Sequence, residues 1–301
     1  MTSEQFPPIR RLGPDDLGRC VALSVDRGWS PERAKWALLL ECSEAFGVDA
    51  PDEARPGLAG AVVLTRWGPD LASVGMMLVA TRYGGRGLGR ALMEHVLDAA
   101  GGATVTLFAT DMGRPLYEKL GFVPVRRSVS FTGTFRPSRP GRPSQVGQVG
   151  QVGTSVGSGA IRPATDADLP SILTADRAAF GADRGPVLTR LAGLAEHLAV
   201  LETAQGIGGY AAAWRNLPSS AIVGPLVAPD PEAAKGLITD LAGRTPGPIR
   251  LDLDPDRPEL PGWAHAHGLE PVSRTTVMAR GELAERGAPD RLYTPISIAL
   301  A

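Results

Sequence analysis

The sharpest change in the hydrophobic pattern of this chain falls just after Val79. The apolar run Met76-Met-Leu-Val79 stops at a loop with glycines at 84, 85, 87 and 89, and a helix-forming segment runs from Leu88 to about Ala100. Val105-Thr-Leu-Phe108 reads as a buried strand. The pattern then predicts a short helix through Pro115, Leu116, Tyr117 and Leu120, capped by Asp111 or Gly113, with Pro115 tolerated in its first turn. Gly121 ends that helix as a C-cap, and Phe122-Val-Pro-Val125 opens the next strand. Upstream, Glu32 to Ala45 reads as helical.

A glycine loop that opens a helix carries chemistry of its own. Glycines let the backbone approach a ligand closely. The helix start points unpaired N–H groups and the positive end of the helix dipole at whatever sits there. This describes a phosphate cradle, with Arg82, Arg86 and Arg90 adding charge. A dinucleotide-binding Gly-x-Gly-x-x-Gly fits poorly: from Gly85 the last position is Arg90, and from Gly84 the second is Arg86. A P-loop fails too, since no Gly-Lys-Ser/Thr closes the loop.

What remains, Arg82-x-x-Gly85-x-Gly87, resembles the Gln/Arg-x-x-Gly-x-Gly/Ala signature of the GNAT (Gcn5-related) N-acetyltransferases. Leu116-Tyr-Glu-Lys-Leu-Gly-Phe122, about one strand further on, is similar to the second CoA-side motif of that family. The resemblance implies acetyl-CoA as acyl donor, with its pyrophosphate on the loop formed by Arg82, Gly84, Gly85, Arg86, Gly87, Leu88, Gly89 and Arg90. It implies that a backbone amide of Leu78 or Val79 polarises the thioester carbonyl, and that Tyr117 donates a proton to the CoA sulfur. Many relatives carry an Asn about seven residues before the Tyr; here Thr110-Asp-Met-Gly-Arg occupies the stretch, and Thr110 is the replacement expected.

The chain also repeats itself. Ile9-Arg-Arg-Leu-Gly-Pro-Asp-Asp-Leu17 resembles Ile161-Arg-Pro-Ala-Thr-Asp-Ala-Asp-Leu169, 152 residues on, and Tyr117–Val125 matches Ala264–Val272 at an offset of 147. Near-constant offsets indicate two copies of one fold. The expected architecture is α/β (α+β): two tandem GNAT-like domains, each a mixed, mostly antiparallel sheet flanked by helices. A catalytic domain over 1–135 and a degenerate one over 160–301 are joined by a Pro/Gly/Ser/Gln-rich linker, 136–159, expected to be mobile. In the second copy Asp230-Pro-Glu-Ala-Ala-Lys-Gly-Leu237 replaces the glycine loop and Ala264 replaces Tyr117. Acids and Cβ atoms there argue against CoA.

Composition narrows the function further. A net charge of −1 over 301 residues gives no electrostatic case for nucleic acid or a membrane surface. No 18-residue apolar run and no basic, apolar leader is present, so a cytoplasmic protein, monomer or homodimer, is expected. Cys20 and Cys42 make no disulfide framework and are expected in the core, with direct transfer and no covalent enzyme intermediate. No metal is expected: His265-x-His267 lacks companion ligands, and Asp252, Asp254 and Asp256 lack the Gly and distal Glu of a calcium loop. Glu41 and Glu44 are candidates to attract a cationic amine, or take its proton, in a pocket that Trp29 and Trp36 help to line. The acceptor is then a small-molecule or protein amine, in a pocket facing the second domain. An acyl-CoA sensor without turnover and a protein-interaction module are the alternative readings.

Overall fold

The computed structural model describes residues 6–52, 54–137, 155–156, 159–284 and 286–300. The first half runs β1 (Arg10–Arg11), α1 (Leu17–Asp26), α2 (Arg33–Cys42), β2 (Glu44–Asp49), β3 (Leu58–Arg66), β4 (Leu71–Val79), α3 (Leu88–Ala100), β5 (Thr104–Ala109), α4 (Arg114–Lys119) and β6 (Val123–Gly133). The second half repeats the order. Its elements are β7 (Ser155–Val156), β8 (Gly159–Pro163), α5 (Leu169–Phe180), α6 (Gly185–Ala192), β9 (Ala195–Thr203), β10 (Gly206–Leu217), β11 (Ser220–Val227), α7 (Pro231–Arg244), β12 (Ile249–Leu253), α8 (Pro261–Ala266), β13 (Glu270–Arg280) and β14 (Leu292–Thr294). Most of the expected linker lies outside the described residues, apart from Arg136, Pro137 and a short β7–β8 pairing.

The two copies build one mixed sheet, ordered β1-β2-β3-β4-β5-β13-β6-β12-β11-β10-β9-β8-β7. Pairing is antiparallel except at β4–β5 and β11–β12. The order contains an exchange. Strand β13 of the second copy lies between β5 and β6 of the first, and β6 lies between β13 and β12. Each copy is therefore completed by a strand of the other.

The repeated motif near each start has a structural task. Arg10 holds Asp16 at 2.7 Å, and Arg162 holds Asp168 at 2.8 Å, in both cases fastening a strand to the turn before the first helix of its copy. The guanidinium of Arg10 is the chief reason that the Asp16 pKa falls to about 2. Arg10 also reaches Asp49 on β2, so one cation joins three segments.

Helix α2 is shorter than its sequence suggests. It stops at Cys42 because Ser43 is extended, and Glu44 and Ala45 enter β2 to pair with β3. Its exposed side reaches the second copy. Glu41 bonds Arg190 of α6, while the buried Glu32 takes hydrogen bonds from Lys35 (2.7 Å) and from Asn216 of β10 (2.5 Å). Burial pulls the Lys35 pKa down, against the pull of Glu32. Side chains of both copies share one core: Trp36, Leu39 and Leu64 pack in the same cluster as Leu188, Trp214, Met278, Ile296 and Leu300.

Candidate acyl-donor site

Two strands that part make the opening of the site. β4 and β5 pair from Leu71–Thr104 to Val74–Leu107 and no further. Just beyond, the β3–β4 register slips between Ala61 and Val63, and Met76 takes a left-handed φ of 51°. This bulge bends β4 away from β5. The Ala80 N–H bonds back to the Ala59 carbonyl. Alternation along a strand then turns the Val79 N–H away from β3, toward the opening, and the Leu78 N–H toward β3.

The glycine loop follows at the open end. Gly87, at φ +82°, is the N-cap of α3 and has no side chain to cap it. The N–H groups of Gly85, Gly87, Leu88, Gly89 and Arg90 have no acceptor among the described residues. Gly85 (φ +74°) and Gly87 lie in the region that L side chains avoid. Gly89 is small for a different reason. A Cβ there would stand 3.2 Å from Met77 and 3.6 Å from Leu116, the side chains that bring α3 against β4 and α4.

The arginines of the loop are less free than their sequence implies. Arg90 pairs with Glu94 at 2.7 Å, and Arg82 donates to the Arg55 carbonyl at 2.7 Å. The Arg82 and Arg86 guanidinium carbons stand 4.8 and 5.7 Å from the ring centroid of Tyr83, which Phe6 meets edge-on. Sequence reading missed Tyr83, whose buried hydroxyl has no hydrogen-bond partner among the described residues. It missed Asp26 as well: that carboxylate accepts the Thr81 N–H at 2.6 Å and ties the end of α1 to the start of the loop. No local pattern marks either contact.

Tyr117 stands on α4, which is N-capped by Gly113, one of the two candidates. Its ring is 8 % exposed and meets Phe122 edge-on at 6.0 Å. Burial pushes its pKa up to about 12. Thr110 sits exposed at the end of β5, where the N–H of Gly113 donates to its hydroxyl at 3.3 Å.

Several other candidates are engaged elsewhere. Glu41 is held by Arg190, and Glu44 by Arg66 (2.6 Å) and Arg11 (3.3 Å). Trp36 is fully buried, with its indole N–H on Ser24 Oγ, and Trp29 is exposed. His265 pairs with Glu270, while His267 stacks on Phe135 and bonds the Trp263 carbonyl through Nδ1. Asp252 bonds Ser130 and Arg250, and Asp256 bonds Arg127. Among the described residues no group of three or more His, Cys, Asp or Glu is placed to hold a metal ion. Cys20 is buried in the core with its pKa pushed up to about 12 by burial, and burial raises Cys42 as well.

The corresponding place in the second copy is closed. Asp230 caps α7 with its own carboxylate, on the Ala233 N–H at 2.8 Å, and Pro231 opens the helix without an N–H. Strand β14 pairs with β11 at Leu226–Thr294 and Val227–Leu292 and packs beside β12, in the gap that stays open between β4 and β5.

Residues 52–124 match a family model described as an acetyltransferase (GNAT) domain, and residues 172–294 match a second model of the same description. The chain belongs to the GNAT acetyltransferases, with two such domains in tandem. It is 28 % identical over 193 residues to the uncharacterized N-acetyltransferase YitH of Bacillus subtilis (strain 168), a match spanning 63 % of each protein. Among solved structures it resembles a protein of Pyrococcus horikoshii, with a TM-score of 0.75 at 20 % identity over 100 % of this chain and 99 % of that one. It also resembles a tandem GNAT protein from the clavulanic acid biosynthesis pathway, with a TM-score of 0.60 at 15 % identity over 92 % and 99 %. At these identities the structural likeness is one of fold. No described helix is long and apolar enough to cross a membrane.

Proposed function

We propose that the first unit transfers an acetyl group from acetyl-CoA directly to an amine, with both substrates held together, and that the second unit binds no CoA. The observation that carries this is the uncapped start of α3. Five N–H groups from Gly85 to Arg90 lack an acceptor there, beside an opening between two strands. Donors left in that state at a helix N-terminus suit an anionic group. The donor, when bound, supplies a thioester-activated acetyl group.

This chain's own groups supply the rest. The loop from Arg82 to Arg90 holds the pyrophosphate, with Arg86 on its outer side. The Val79 N–H, turned toward the opening, is the better placed of the two expected amides to polarise a carbonyl. Tyr117 keeps its proton at neutral pH and gives it to the departing sulfur. Thr110 lies near the same end of the opening and serves as a polar contact for the donor. The cysteines, both held protonated by burial, offer no nucleophile. The self-capped α7 and the inserted β14 give the second unit a supporting role.

Calorimetry with acetyl-CoA should give one site per chain. Thiol release should follow when a panel of amines is added. Two sites per chain would refute the assignment of the second unit. Binding without thiol release for any amine would favour a sensor.

A further inference from the structure

A cavity of about 360 Å³ lies where the exchanged strands meet, lined among others by Phe108, Arg126, Asp252, Asp254, Arg257 and Tyr293. Phe108 is the first β5 residue beyond Leu107, the last to pair with β4, so the cavity reaches the point where those strands part. Its charges are not equally engaged. Arg257 donates to the Leu292 and Asp290 carbonyls and lies 4.2 Å from the Tyr293 ring centroid. Arg184, also in the wall, is fixed by both oxygens of Asp176. The Arg126 side chain, by contrast, makes no hydrogen bond or ion pair with any described residue, and Asp254 attracts it only at longer range.

Facing the same space is a carboxylate with spare capacity. Asp252 is 3 % exposed; its Oδ1 accepts from Ser130 Oγ and Arg250 Nε, yet its buried Oδ2 has no hydrogen-bond partner among the described residues. A buried oxygen left unpaired is destabilising, and a bound donor would relieve it. Asp254, two residues on, adds a second acid to that wall. Among the described residues of this wall, a cation without a direct partner and an under-used carboxylate, with aromatic rings in the same lining, match a ligand that carries both charges.

We propose that this cavity is the acyl-acceptor site and that it takes a small amine also bearing an acid group, with the acid on Arg126 and the ammonium beside Asp252 and Asp254. The proposal rests on the transferase reading above. In the reaction the amine nitrogen bonds the acetyl carbon as the carbon–sulfur bond breaks. Of the three ammonium protons, one stays on the amide, one is released to solvent, and one is matched by the proton gained at sulfur.

The test uses the full chain, the twenty standard amino acids and their carboxamides. Calorimetry should find at least one amino acid that binds, with its carboxamide at least tenfold weaker. Arg126→Gln removes a charge that no described side chain hydrogen-bonds or pairs with directly, so its Tm should stay close to wild type. It should erase the preference for acid over carboxamide, in affinity and in kcat/KM for acetyl transfer, and leave acetyl-CoA affinity unchanged. Amino acids that fail to bind, or a preference that survives Arg126→Gln, would overturn the assignment. Failure of acetyl-CoA to bind, with the amino acid still held through Arg126, would instead remove the transferase reading and leave a ligand site.

Discussion

Gly75, in the middle of β4, has the backbone of the chain's last residues against it. A Cβ built there would stand 2.4 Å from the Ala299 carbonyl oxygen, 3.0 Å from its carbon and 3.1 Å from its Cα. All three are main-chain atoms, so Gly75→Ala cannot be absorbed by rotating a side chain; the terminal segment must move. That segment buries Ile296 and Leu300 completely. Full exposure of two such side chains costs roughly 3–6 kcal/mol, an upper bound because the denatured chain hides some of the same surface. At about 2 °C per kcal/mol for a chain of this size, Tm should fall by roughly 6–12 °C. Scanning calorimetry, with limited proteolysis of the C-terminal segment, reads both effects. Gly243→Ala is the matched control, since its Cβ meets nothing within 4 Å in α7 and a helical Gly→Ala change stabilises by about 0.5–1 kcal/mol. A Gly75→Ala protein melting within about 2 °C of wild type would show that the terminal segment is not seated as described.

Further outcomes are expected. Gly87→Glu places a strained side chain and a negative charge at the start of α3, and acetyl-CoA binding should vanish in a protein whose circular dichroism is unchanged; retained affinity would refute the cradle. Tyr117→Phe should lower kcat by about 10²–10⁴-fold with acetyl-CoA affinity nearly intact, and a kcat within twofold, with chemistry limiting, would return Tyr117 to packing. In wild type, a folded-state pKa near 12 means that Tyr117 causes no alkaline loss of rate until pH approaches 12, and that its burial costs stability only as pH rises from about 10 to 12. Asp16, lowered to about 2 by Arg10, contributes stability that is present above about pH 4 and lost as pH falls to 2; Asp16→Asn should flatten urea midpoints across that window. Residues 1–135 alone leave β6 without either neighbour, so the fragment should be poorly soluble, and a well-dispersed amide spectrum would contradict this.

The parts legible in the sequence are those set by neighbours along the chain. α3 runs from Leu88 to Ala100 as the pattern predicts, because glycines bracket it on both sides. The repeat at Arg10 and Arg162 shows as the same ion pair twice. Contacts set across the chain are another matter. The backbones of β6 and β13 are satisfied by any antiparallel partner, so nothing in either strand announces that the two copies trade places. Glu44 looks helical in sequence because Leu38, Leu39 and Leu40 precede it, yet pairing of β2 with β3 claims it. Residues 292–300, in which no motif stands out, fill the second unit's opening and reach Gly75 in the first. Arg126 is one arginine among many in the sequence; only the exchange of strands carries it to the cavity wall.

The exchange also sets a timetable for the nascent chain. β6 leaves the ribosome about 150 residues before β13, the strand that must slip in beside it. At roughly 5–20 residues per second, that delay is on the order of 7–30 s. Throughout it β5 and β6 present unpaired backbone edges, the kind of surface that recruits other strands. Synthesis speed and chaperone supply then bear on how much of this protein a cell recovers in soluble form, alongside the stability of the finished fold.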